Sequence, residues 1–415
     1  MPLRLIKTLA LITFLLQIYL SFQGVNYFTK MYNPLVLLGS YLFLFGLYYH
    51  SIETTELLFE KISFKKKSIV GALGILVFLS SFPWFHQSFL RVSNPVEISD
   101  VIPQLVIQFE RFIAGEKPYQ IVNLPNSQPF PVYMPFQWMP VGISKLFSID
   151  VRWSGLLLML VSVFYFSAFS IKNNKAILKN AALLLLPLLP FLAYLHWGEN
   201  DLLVSIETIV AAYYLFLGVA LVHRNKMAIT LGIVLCLLSR YTFVFWLPLF
   251  FYIYYSENGR IASFKLISIL LLSLLCFYVF PFLINHPSVF IEGLKYHNNA
   301  AEGEWQNGGW SFYSGDYLAP FFEQFFKGNI HEKVTKVRIV QASVMLILCF
   351  GGILFYRKKK NNFSSYDFSL GLLYLTIICF YVFSPLTYRY YLITPMMLSA
   401  VLCLRIFKGA PKKMA

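Results

Sequence analysis

Asp100 follows an apolar run of roughly 20 residues and opens the stretch DVIPQLVIQFERFIAGEKPY. Where water gives way to hydrocarbon, a carboxylate loses hydration, its pKa rises, and it can act as a general base. Positions 101, 102, 105, 106, 109, 112 and 113 are apolar, a helical stripe suited to the membrane surface that would pin Asp100 near the bilayer plane. Glu97 lies three residues earlier on the same loop. Ser99 and Asp100 are also good helix caps, so a solvated capping acid is the alternative.

Three further groups have the residue types for chemistry. HWGENDLL, residues 196–203, places Glu199, Asn200 and Asp201 at a turn between helices, with Glu207 in the next helix. Acids there suit a helix N-terminus, or could bind an acceptor hydroxyl or a divalent cation. Arg240 in SRYTF and Arg389 in PLTYRYY sit at helix ends, where a guanidinium can grip a phosphate bidentately or snorkel to headgroups. Arg111 and Lys117 read as surface charges. Segment 296–316, YHNNAAEGEWQNGGWSFYSGD, reads as a loop with the makings of a sugar site. Its amides and carboxylates would bind hydroxyls, and His297, Trp305 and Trp310 would contact the ring. The seven histidines show no metal-ligand spacing, and there is no Walker motif, dinucleotide loop or Gly-x-Ser-x-Gly elbow. No cofactor is called for, and a divalent cation stays open.

The elements that must hold these groups are membrane helices. Of 415 residues, 58% are hydrophobic and 13% charged, against about 25% charged in soluble domains. The composition predicts an all-α, polytopic transmembrane helix bundle of about 12 crossings. These fall near 5–22, 34–50, 69–89, 152–170, 180–195, 202–222, 227–240, 241–256, 262–285, 337–356, 366–384 and 389–407. The first 22 residues lack a small-x-small cleavage site and read as an anchor. The five cysteines lie in apolar runs and read as buried, unpaired spectators.

Basic residues fix the orientation. With both termini cytoplasmic, the inner segments hold 21 of 34 Lys and Arg but 5 of 19 Asp and Glu. The net charge of +15 is therefore a topology signal and not a nucleic-acid footprint; inner lysines would touch anionic membrane lipids. The same rule keeps 133–148, interrupted by Pro135 and Pro140, on the outer side as an interfacial or re-entrant helix. The chain divides into a helix pair and cytoplasmic loop (1–68), a helical module (69–285) with a first outer loop (90–132), an aromatic outer loop (286–336) and C-terminal helices (337–415). Segment 318–326 would lie in the interface. No internal repeat supports an inverted-repeat transporter.

This layout resembles the GT-C superfamily of integral membrane glycosyltransferases, especially its bacterial α-mannosyltransferase-like branch. Asp100 followed by Gly115, Pro118 and Tyr119 is similar to the family's first-loop acid and Gly-x-x-Pro-Tyr. Tyr133-Met134-Pro135-Phe136 resembles its Tyr-x-Pro-Pro approach to an interfacial helix, with one proline missing. Gly198-Glu199-Asn200-Asp201 resembles a Gly-Gln-x-Asn/Asp turn with Glu for Gln, and Leu238-Ser239-Arg240 a short helix ending in a basic residue. The match spans about residues 95–260. Two crossings precede the catalytic-loop helix where many members have one.

The resemblance implies a GT-C type hexosyl- or pentosyltransferase in the cell membrane with an extracytoplasmic site. The donor would be a polyprenyl-phosphate-linked sugar and the acceptor a glycan, glycolipid or protein. Asp100 would be catalytic, and Glu97, Tyr119, Tyr133, Glu199, Asp201, Arg240, His297, Trp305, Trp310 and Arg389 would bind substrate. An outer-face polysaccharide polymerase or ligase, or a lipid or sugar transporter, are the competing readings. Loss of turnover on Asp100→Asn separates the first, and charges near the bilayer midplane would favour the last.

Overall fold

The computed structural model describes residues 1–22, 27–57, 63–92, 99–125, 127–170, 183–197, 201, 203–205, 207–284, 287–307, 317–386 and 388–412. It is all-helical, 81% helix and 2% strand. Among the described residues, eight helices are long and apolar enough to cross a membrane: Leu3–Leu20, Asn33–Thr54, Phe64–Arg91, Arg152–Ser170, Leu247–Leu283, Ile330–Asn362, Ser365–Val382 and Arg389–Lys408. Leu188–Trp197, Glu207–His223 and Lys226–Leu237 are shorter apolar helices. The expected crossings 241–256 and 262–285 fall on one run of helix that Gly259 divides, with φ 75° and ψ 179°. A side chain is strained there, so the kink sits on the one residue without a Cβ. Expected crossings 180–195 and 202–222 lie partly outside the described residues.

Lipid is as apolar as leucine, so close packing through small residues must hold such helices together. A Cβ on Gly74 would stand 1.9 Å from Ser167 Oγ, and one on Gly155 would stand 1.9 Å from Thr208 Oγ1. The helices Phe64–Leu79, Arg152–Ser170 and Glu207–His223 therefore meet almost backbone to backbone. Ser365–Val382 and Ile393–Lys408 form the buried centre. Ile347, Leu354 and Leu272 turn outward on peripheral helices, as a lipid-facing surface requires.

The two ends of the bundle differ in chemistry. At one end Thr55–Leu57 pairs antiparallel with Gly409–Pro411. Beneath that ribbon Arg405 bonds Asp367 at 2.9 Å, with Arg224 4.0 Å from the same carboxylate. Lys412 donates to the Asn362 carbonyl and Lys67 lies 5.0 Å from the Phe169 ring centroid. The segments around Asp100, Tyr133, Asp201, Arg240, His297 and Arg389 gather around one cavity away from that basic cluster.

Several local expectations change. Segment 296–316 is not a loop at its start, because Ser288–Asn307 is a 20-residue helix. Its Ala and Glu residues outweigh the scattered Asn and Gly once the helix packs on Ile330–Lys359. Within 133–148 there are two short helices, Pro135–Trp138 and Val141–Leu146, with Pro140 between them. Neither is long enough to cross. The helix Val101–Ile113 buries Ile102 and Leu105 together with Gln104 and Gln108, while Phe112 and Ile113 are exposed. The apolar stripe is thus only half of its contact face. All five cysteines are free, but only Cys236, Cys379 and Cys403 are buried; Cys276 is exposed.

Candidate functional site

Asp100 ends an irregular segment and begins the Val101–Ile113 helix, yet its side chain makes no capping bond. Ser99 takes the local role: its Oγ accepts from the Val101 N–H at 3.2 Å and donates to the Val204 carbonyl at 3.1 Å. The Asp100 carboxylate instead lies on the wall of a cavity of about 680 Å³. Burial raises its pKa, and hydrogen bonds from its own backbone, Gln104 and Tyr296 hold that rise in check. Gln104 is one turn along the helix from Asp100, so one helix face supplies both groups.

Arg240 and Arg389 line the same cavity. Arg240 pairs with Glu207, a fully buried acid in the first turn of the Glu207–His223 helix. Its guanidinium carbon stands 4.8 Å from the Tyr391 ring centroid, a cation–π contact. Among the described residues its Nε has no hydrogen-bond partner. Arg389 faces Asp201, Nη1 to Oδ2 at 3.8 Å. Burial lifts the Asp201 carboxyl to about 6, although the nearby Arg389 charge pulls it down.

Bonds from elsewhere hold the segment carrying Arg389. Tyr194 Oη donates to the Arg389 carbonyl at 2.6 Å and Tyr317 Oη to the Tyr388 carbonyl at 2.5 Å. Trp305 Nε1 donates to the Pro385 carbonyl at 2.9 Å. Above this segment the rings of Tyr388 and Tyr390 stack, 5.3 Å apart and 9° from parallel. Tyr388 also donates to Glu304 Oε1 at 3.2 Å. A flat aromatic surface beside a carboxylate suits a polyhydroxylated ring.

His297 lines the cavity from the Ser288–Asn307 helix. Burial, with Arg338 and Arg240 nearby, lowers its pKa to about 4, so it is neutral at pH 7. Tyr133 lines it as well, and burial pushes its phenol well up. Comparisons with protein-family models, curated proteins and solved structures return no match to this chain.

Asp100, Tyr133, Asp201, Arg240, His297 and Arg389, six residues singled out from the sequence, therefore share one cavity. Two do not belong to it. Trp305 is buried and its indole N–H is spent on a backbone carbonyl, so it cannot stack on a sugar. Tyr119 lines a second cavity of about 700 Å³ with Phe112, Lys117 and Phe282. Its hydroxyl donates to the Tyr133 carbonyl at 2.9 Å and accepts from Trp138. Glu97, Glu199 and Trp310 lie outside the described residues. Arg111 donates to the Gln120 and Ile121 carbonyls, clasping the loop below Gly115. Among the described residues no group of three or more His, Cys, Asp or Glu is arranged to hold a metal ion.

Glu207 was noted beside the acidic turn but without its partner Arg240, and Gln104, Glu304, Tyr296 and the tyrosines 388, 390 and 391 were not singled out from the sequence. The density of Tyr around Arg389 is the one signal that could have raised the last three. Gln104 carried a weaker signal, a polar residue four positions from Asp100 on an apolar helix.

Proposed function

We propose that this chain is a GT-C-like membrane glycosyltransferase moving a hexose or pentose from a polyprenyl-phosphate-linked donor. The acceptor is a hydroxyl of a glycan, glycolipid or protein. In this reading the bundle has about 12 crossings, both termini are cytoplasmic and the cavity opens on the extracytoplasmic face. The observation that carries it is the presence of Asp100, Arg240 and Arg389 on the wall of one cavity at the bundle's end.

The chemistry follows from that wall. The Asp100 carboxylate accepts the proton of the acceptor hydroxyl as that oxygen attacks the anomeric carbon. The bond between the anomeric carbon and the phosphate oxygen breaks, and configuration inverts. A phosphodiester donor carries one negative charge and the departing phosphate gains a second. Fixed guanidinium charge therefore binds the transition state better than the ground state, which is the condition for catalysis. Asp100 meets the requirements of the base: it is partly desolvated, its pKa is raised, and Gln104 and Tyr296 orient it. Neutral His297 and the Tyr388–Tyr390 surface would hold sugar hydroxyls and ring faces.

The test is transfer by the purified full-length protein from isoprenyl-phosphate sugars to a panel of hydroxyl acceptors, comparing wild type with Asp100→Asn. Loss of a positioned base costs about 10²–10⁴-fold. A folded Asp100→Asn protein that transfers at the wild-type rate would remove the mechanism.

A further inference from the structure

The charge on the cavity wall does not balance, and the imbalance bears on which sugar it takes. This inference rests on the function proposed above and deepens it to the substrate class. Among the described residues the wall holds two arginines, Arg240 and Arg389, and three acids, Asp100, Asp201 and Glu304. Arg240 is already neutralised by the buried Glu207. With the acids ionised, two guanidinium charges meet four carboxylates, and His297 adds none because burial keeps it neutral at pH 7. The wall therefore carries two negative charges in excess before an anionic donor brings another.

Glu304 is where that excess is best placed for a ligand. It lies on the Ser288–Asn307 helix, eight residues beyond Tyr296, whose hydroxyl bonds Asp100. Eight helical residues span about 12 Å, so Glu304 stands well apart from the base. Its Oε1 accepts from the Tyr388 hydroxyl at 3.2 Å. A carboxylate offers about four acceptor sites, so this bond does not exhaust it. Beside it the Tyr388 and Tyr390 rings stack 9° from parallel, and both line the cavity. A carboxylate next to aromatic faces suits an ammonium group, which is attracted by both.

The unfilled hydrogen-bond sites on the wall agree. Gln104 Oε1 and Asp201 Oδ2 are acceptors on residues 2% exposed, and among the described residues neither receives a hydrogen bond. Arg240 Nε is the one unfilled donor on this wall among the described residues. An ammonium supplies three donors and no acceptor, so it fits a wall rich in acceptors.

We propose that the cavity selects a sugar bearing a protonated amine, with Glu304 as its counter-ion and Tyr388 and Tyr390 covering it. Glu304, Tyr388 and Tyr390 are then specificity-determining residues. A hydroxyl in the same place leaves the excess charge uncompensated, and a uronic acid adds to it. The amine belongs either to the donor sugar or to the acceptor, and the chemistry of recognition is the same.

The experiment measures binding to full-length protein in phosphatidylcholine nanodiscs at pH 7 with EDTA present. In one arm the ligands are octyl glucosides carrying an amino group at carbon 2, 4 or 6, which resemble an acceptor. In the other they are farnesyl-phosphate-linked glucoses aminated at the same positions, which resemble a donor. Each is compared with its N-acetyl counterpart and with the parent glucoside. In one arm an amino ligand should bind about tenfold or more tighter than its N-acetyl counterpart, and that arm names the source of the amine. Glu304→Gln should bring the ratio close to one, and Glu304→Asp should keep part of it. Tyr390→Leu should lower the ratio about twofold to fivefold.

Wild-type protein that shows no amine preference in either arm overturns the proposal. So does a folded Glu304→Gln protein that keeps the wild-type ratio. Magnesium that tightens binding of the parent glucoside, in place of any amine preference, assigns the acids to a metal ion and also overturns it. Amine preference without sugar transfer sinks the transferase reading and leaves this assignment standing. Transfer of neutral sugars without amine preference does the reverse.

Discussion

The Tyr119 hydroxyl donates to the Tyr133 carbonyl at 2.9 Å and accepts from the Trp138 indole, so one phenol joins the walls of two neighbouring cavities. Tyr119→Phe keeps the ring and removes the bridge, leaving a carbonyl and an indole N–H unsatisfied. A buried orphan of this kind costs about 1–3 kcal/mol. The expected result is a lower unfolding temperature and weaker donor binding, with Asp100 chemistry retained. Thermal unfolding and a kcat against KM comparison read both.

Trp305 is expected to behave as a strut. Trp305→Phe forfeits its bond to the Pro385 carbonyl, worth about 1 kcal/mol, and loosens the segment that carries Arg389. Selectivity among donor sugars should not change, since the indole does not line the cavity. A shift in sugar preference would return Trp305 to the binding surface.

Asp201 should cost the protein stability at neutral pH. Its carboxyl moves from 3.8 to about 6 on folding, so the folded state holds the extra proton between these values. Stability therefore falls as pH rises through that window and stays lower above it. Asp201→Asn should unfold at a higher temperature than wild type at pH 7.5, and the two should converge below about pH 4.

His297 works in the opposite sense. Its imidazole is lowered from 6.5 to about 4, so the unfolded chain takes a proton first as the solution is acidified. Stability is complete above about pH 6.5 and is lost progressively toward pH 4. His297→Gln should show a flatter unfolding temperature over this range, measured in the same lipid.

Small residues set the helix spacing. Gly155→Val must push a side chain into Thr208, which stands 1.9 Å from where the Cβ would lie. Overpacking costs about 1–3 kcal/mol. Because the Arg152–Ser170 helix then moves off the helix that begins with Glu207, Arg240 should also lose its fixed position. Falling yield of folded protein, followed by size-exclusion chromatography, is the readout.

The helical, apolar character of the bundle was legible in the sequence because hydropathy acts locally, and a long apolar helix announces itself over its own length. Asp100, Arg240 and Arg389 stood out for a related reason: charge at a helix end is rare in an apolar chain. Partnership was not legible. Nothing near Arg240 in the sequence points to Glu207, thirty-three positions away, and Asp201 finds Arg389 only after most of the bundle has closed. Trp305 was misread because composition records the presence of an indole and not where its N–H is spent. The helix at Ser288–Asn307 was missed because its Asn and Gly residues weaken the local preference that tertiary packing overrides.

Gln17 on the first helix donates to the Tyr374 hydroxyl and to the Ser40 carbonyl, each at 3.3 Å, and Cys403 near the far end of the chain donates to the Ala10 carbonyl. The amide's long-range partner thus lies 357 positions further along the sequence. Until that segment is made, the Gln17 amide lacks one of its two N–H acceptors, and packing of the later helix supplies it. Truncation before Ser365 should leave the first helix a target for the quality-control proteases of the membrane.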